Sequence, residues 1–209
     1  MCSWDNNFNY KYEITKDGEV IQYGLRAPQI GAIHAVMSHW VLSEKPASVV
    51  MPTGTGKTET MISLLVANQC NKLLVVVPTD PLRTQISEKF ISFGVLKRFG
   101  VIGETALFPV VGLLMHKPKS LEEVDALFNC CNVVVTAMSI AGGITGELQE
   151  RIAEPCSHLF IDEAHHIAAP TWASFRDKFS SKNIIQFTAI PFRNDGKHAP
   201  ASIPHMVDT

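Results

Sequence analysis

Six short, nearly unbroken apolar runs punctuate the chain: SVVM at 48–51, LLVVV at 73–77, VVGLL at 110–114, VVVT at 133–136, HLFID at 158–162 and IIQFT at 184–188. Runs of this length without polar alternation predict strands buried on both faces. Between several of them lie GKTETMISLLVANQ, DPLRTQISEKFISF, SLEEVDALFN and TWASFRDKF, which read as helices. This alternation predicts an α/β domain whose mostly parallel sheet carries helices on both faces. In such a sheet ligands bind beyond the carboxyl ends of the strands, so the loops after strands are where chemistry is to be sought.

Ahead of the first buried run, KYEITKDGEVIQY holds two β-prone stretches around Asp17-Gly18, a dipeptide that tolerates the positive φ of a tight turn. A small hairpin within an N-terminal extension, residues 1–24, is expected. From Arg26 to Leu42 apolar residues recur at helical spacing after Pro28, which suits a helix start. The end, KHAPASIPHMVDT, has two prolines and no period, so 196–209 reads as a loose tail.

Composition narrows the class. A 209-residue chain with 46% hydrophobic content can build one substantial core. The formal net charge of −2 gives no global positive field, so a nucleic-acid partner would need a local patch. The N-terminal residues lack a basic region and apolar run, and the most apolar later segment, 61–77, is broken by Asn68, Gln69, Asn71 and Lys72. Neither a leader nor a membrane span is expected. Five cysteines with no C-x-x-C spacing fit reduced thiols of a cytoplasmic protein rather than a disulfide framework or metal site. His34 and His39 stand five apart, off a common helical face, with no further ligand nearby to complete a metal site.

The chemistry concentrates in MPTGTGKT, residues 51–58, which follows a strand and opens a helix. Gly54 and Gly56 let the backbone approach an anion, with Thr53 and Thr55 between and before them, and the helix N-terminus adds a positive dipole end. Lys57 can reach the β- and γ-phosphates of ATP, and the Thr58 hydroxyl can coordinate Mg²⁺. Met51 stands where the usual G-x-x-x-x-G-K-[ST] pattern has glycine; the bland alternative is a glycine-rich turn that contains a lysine. A second element, LFIDEAHH at 159–166, ends an apolar run on two carboxylates. Asp162 can hold Mg²⁺ and Glu163 can orient or deprotonate an attacking water, although alone such a pair would read as helix-start acids. The acid after the metal-binding aspartate points to hydrolysis rather than a kinase, and no guanine-reading N-K-x-D is present.

Six segments in order, LRAPQ (25–29), PTGTGKT, VVPTDPLRTQ (76–85), VVVTAMS (133–139), DEAHH and FTAIPFRND (187–195), resemble the first motor domain of a superfamily 2 helicase. Within that superfamily the chain is similar to the branch of type III restriction subunits and DEAH-type translocases. The resemblance covers 25–195 and implies a RecA-like ATP-binding domain using ATP and Mg²⁺. It implies adenine contacts at Gln29 and Arg26, and nucleic-acid backbone contacts at Thr79, Arg83, Gln85 and Thr136. It also implies coupling of nucleotide state to the nucleic-acid site through Thr188, Ala189 and His165. Ile190 replaces a usual second threonine in that link, and His166 reads as packing or surface.

The same resemblance implies an active site between two RecA-like lobes, with arginines from the second worth about 10³ to 10⁵ in rate. After Asp195 only fourteen residues remain, too few for a second lobe. The expectation is therefore an ATPase of helicase or translocase type, weak or inactive alone, that acts with DNA ahead of RNA and with a missing lobe or a restriction or defence partner subunit. The alternative is a silent nucleotide- or nucleic-acid-binding remnant.

Overall fold

The computed structural model describes residues 4–144, 146–163 and 170–189. The apolar runs become one six-stranded sheet: β3 (Ala47–Val50), β4 (Leu73–Val77), β5 (Val111–Leu114), β6 (Val133–Ala137), β7 (His158–Ile161) and β8 (Asn183–Thr188). The order is β3-β8-β7-β4-β6-β5, and every pairing within it is parallel. Successive strand side chains point to opposite faces, so each apolar run feeds two cores. Leu73, Val75 and Val77 of β4 join Phe160 and Phe187 on one face, while Leu74 and Val76 join Leu159 and Ile161 on the other.

The first face is covered by α1 (Ala27–Leu42), α2 (Lys57–Ala67) and α3 (Asp80–Ser92), through Ile33 and Val36, Met61 to Val66, and Ile86 and Phe90. Helix α2 is buried on nearly every side from Thr60 to Val66, as befits a helix apolar all round. The second face is covered by α4 (Leu121–Cys130), α6 (Glu147–Ala153) and α7 (Pro170–Asp177). Helix α6 and the single turn α5 (Met138–Ala141) were not expected from the sequence. Both sit in a segment interrupted by Gly142, Gly143 and Gly146, where no periodic window is long enough to declare a helix.

The hairpin pairs β1 (Ile14–Lys16) with β2 (Glu19–Gln22), and Asp17 and Gly18 take φ of 53° and 83°, as the turn requires. The residues before it are part of the domain. Trp4 is 3% exposed and donates Nε1–H to Leu107 O at 2.9 Å, while Asn9 N donates to Val101 O and Gly103 N to Asn7 O. Residues 4–12 thus strap the 100–107 segment. Of the four described cysteines, Cys70, Cys131 and Cys156 are buried and Cys130 is exposed. Among the described residues no helix is long and apolar enough to cross a membrane. The expected tail at 196–209 lies outside the described residues.

Candidate active site

Three loops meet at the carboxyl ends of neighbouring strands. Because β8 lies between β3 and β7, the loop at 51–56, the turn at Ala189 and the pair Asp162-Glu163 stand side by side. Met51 N donates to Thr188 O at 2.8 Å, tying the first loop to the end of β8. Met51 itself is 1% exposed and belongs to the core under α1 and α2, so its departure from glycine is absorbed by packing. Gly54 and Gly56 adopt φ of 83° and 93°, left-handed positions that favour glycine. The Thr55 hydroxyl donates to Pro52 O at 2.6 Å and Thr60 N to Gly56 O at 3.0 Å, which fixes the loop against the first turn of α2.

Lys57 opens α2 with its side chain 13% exposed, and its ammonium pairs with the Glu163 carboxylate while standing 3.8 Å from Asp162 Oδ1. Burial pushes its pKa down, against the upward pull of Asp162. Asp162 is 6% exposed; its backbone N–H donates to Val76 O at 2.8 Å, and its Oδ1 accepts from Glu163 N at 3.1 Å. Glu163 has φ of 51°, a left-handed conformation that costs a non-glycine residue about 1–3 kcal/mol. Its Oε2 accepts from Ala189 N at 3.4 Å. One carboxylate therefore touches both the lysine of the first loop and the backbone after β8. His165 lies outside the described residues, as does Ile190.

Arg26 and Gln29 are brought to the loop, and both are engaged by it. Arg26 Nη1 donates to Gly54 O at 2.9 Å and Gln29 Nε2 to Gly56 O at 3.2 Å, while Gln29 Oε1 accepts from Arg26 N at 2.8 Å. These contacts make the start of α1 a brace for the loop. The loop opens onto a cleft of about 690 Å³, within the range of small-molecule sites, lined at this end by Thr53, Gly54, Lys57, Thr58, Asp162 and Glu163.

The four residues expected to meet nucleic acid are not on one surface. Thr79 is exposed at the carboxyl end of β4, capping α3. Arg83 is 6% exposed, with Nη1 donating to Asp80 Oδ1 at 2.6 Å and Nε buried without a hydrogen-bond partner among the described residues. Thr136 is fully buried and its hydroxyl donates to Leu114 O at 3.1 Å, inside the sheet. Gln85 lines the cleft instead. No motif had flagged Tyr23, Glu59, Lys89 or Phe99, which also line it; their only sequence signal is Glu59, directly after Thr58.

A family model described as "Type III restriction enzyme, res subunit" matches residues 22–193, most of the chain. The chain belongs to this family. Over 160 residues it is 28% identical to the DNA 3'-5' translocase XPB2 of Sulfurisphaera tokodaii, a match covering 75% of this chain and 30% of that protein. Among solved structures, the UvsW helicase from Bacteriophage T4 superposes with a TM-score of 0.55 at 16% identity, covering 86% of this chain and 56% of that one. The Type ISP restriction-modification enzyme LlaGI, solved with a DNA substrate mimic, gives 0.53 at 16%, covering 85% and 18%. Identities of 16% show likeness of fold. With the family, they make this a RecA-like domain of superfamily 2 helicase type, of the type III restriction-like branch. The chain spans 30% of its curated relative.

Proposed function

We propose that this restriction-family domain is the ATP-binding half of a DNA or RNA translocase motor, with its second lobe supplied by a further domain or partner. The observation that carries the reading is the convergence of Lys57, Asp162 and Glu163 at the ends of β3 and β7, beneath a glycine loop at a helix N-terminus. Phosphates suit this set: the α2 dipole and Lys57 supply positive charge, and nothing lies within 4 Å of where a side chain on Gly54 would begin. Thr58 and Asp162 would hold Mg²⁺, which when bound neutralises phosphate charge.

In this reading Lys57 leaves Glu163 for the β- and γ-phosphates. Glu163, released, orients and deprotonates the attacking water. Its second oxygen already meets the Ala189 amide, so its position is tied to the strand end that the family resemblance links to coupling. DNA is favoured over RNA, because the translocase relative and the LlaGI complex are both named for DNA. Of the four residues that the resemblance links to nucleic acid, exposed Thr79 at the carboxyl end of β4 is suited to a backbone phosphate, which positions a strand without reading its sequence.

Turnover tests the reading. The chain alone should hydrolyse ATP very slowly and unwind nothing, and adding a second lobe should stimulate hydrolysis manyfold in the wild type. Glu163→Gln should stay at background, a loss on the order of 10²-fold or more. Equal stimulation of wild type and Glu163→Gln would contradict the role given to that carboxylate.

A further inference from the structure

The cleft does not end at the glycine loop. Its lining also takes in Glu59 of α2, Gln85 and Lys89 of α3, and Phe99 and Tyr23, whose rings stack 5.0 Å apart at 19°. Arg26 and Gln29 spend hydrogen-bonding groups on the loop carbonyls of Gly54 and Gly56. Those groups are not free for the nucleoside, which leaves other lining residues to read it. Glu59 follows Thr58 in the first turn of α2, and its Oε1 accepts from Lys89 Nζ at 2.7 Å, with the two side chains 15% and 38% exposed.

A carboxylate offers about four lone-pair sites, so one ammonium leaves Glu59 able to accept more. Sugar hydroxyls are donors of the kind that acidic residues accept in other nucleotide sites. Lys89 supplies the compensating charge, without which Glu59 would repel phosphates bound two residues away at Lys57. Tyr23 and Phe99 add an aromatic pair to the lining.

We propose that Glu59, positioned by Lys89, accepts hydrogen bonds from the ribose hydroxyls of the bound nucleotide and so selects ribonucleotides over their deoxy forms. The proposal rests on the reading of 51–58 as the triphosphate site. Its rival is a plain ion pair joining α2 to α3.

The test is equilibrium binding, with Mg²⁺, of ATP, 2'-deoxy-ATP, 3'-deoxy-ATP and inorganic tripolyphosphate to the wild type and to Glu59→Gln. The wild type should bind at least one deoxy form about tenfold more weakly than ATP, as loss of a hydrogen bond to a charged group implies. In Glu59→Gln that ratio should fall towards one, with tripolyphosphate affinity no lower than in the wild type, because a negative charge beside the phosphate loop is removed. Equal wild-type binding of ATP and both deoxy forms would overturn the proposal while leaving the phosphate reading intact, as would an undiminished ratio in Glu59→Gln. Failure of the wild type to bind tripolyphosphate or ATP would overturn both readings. Should Glu59→Gln not fold, Glu59→Asp, which keeps the charge and draws the carboxylate back, takes its place with the same expected fall in the ratio.

Discussion

Replacing Gly56 with alanine perturbs the loop where the structure leaves least room. The left-handed backbone, φ 93° and ψ 42°, costs alanine about 1–2 kcal/mol. The new Cβ would also stand 2.2 Å from Gln29 Nε2 and 2.9 Å from Arg26 Nη2. Gln29 is 3% exposed, so its amide must swing off and lose its bond to Gly56 O, a further cost of about 1 kcal/mol. Gly56→Ala should therefore lose about 2–3 kcal/mol of unfolding free energy. Gly54 provides the control, because at φ 83° it has the same backbone cost but open space around the added Cβ. Urea unfolding followed by circular dichroism should show Gly54→Ala about 1 kcal/mol milder than Gly56→Ala. In a Gln29→Ala background the difference should shrink, leaving only the Arg26 contact. Equal losses for the two glycines, or a difference undiminished without Gln29, would refute the brace between α1 and the loop.

His158 gives a pH-dependent prediction. Burial pushes its pKa down to about 4 from 6.5, and its Nε2 accepts from the amides of Asn68 and Asn183 at 2.8 and 3.1 Å in the neutral tautomer that fits both. The unfolded chain takes up this proton first. The contribution is therefore full above pH 6.5 and is lost as pH falls towards 4, by about 2 kcal/mol at pH 5. Unfolding free energies from urea titrations at neutral pH and pH 5 should separate for the wild type by that amount more than for His158→Gln, and parallel behaviour would contradict it. Trp4→Ala empties a site that is 3% exposed and removes the bond to Leu107 O, so it should cost about 3–5 kcal/mol. A loss below about 1 kcal/mol would show that the N-terminal strap is peripheral.

The strands were legible because each is buried on both faces, which leaves an uninterrupted apolar run; β4 falls on the expected 73–77 with no shift. The candidate site was legible for a related reason: Lys57, Asp162 and Glu163 each follow such a run, and parallel strands carry their carboxyl ends to one edge. What required the structure was long-range or rotational. The strap joins Asn7 to Gly103, a pairing with no local period. Gln85 and Arg83 lie on one helix, yet its packing turns the first to the cleft and buries the second. Thr136 ends inside the protein because β6 is covered on both faces, whatever the residue type. Arg26 and Gln29 were recognisable as loop neighbours, but only the positions of the Gly54 and Gly56 carbonyls show what they bind.

Calorimetric titration of the chain and of its Lys57→Ala variant with Mg²⁺ and ATP tests the central claim most directly. Saturable binding of one nucleotide by the wild type is expected, weakened at least about tenfold in a variant that still unfolds cooperatively, as loss of a charge-assisted contact implies. No binding by the wild type, or equal binding by both, would contradict the assignment of residues 51–58 as the phosphate site.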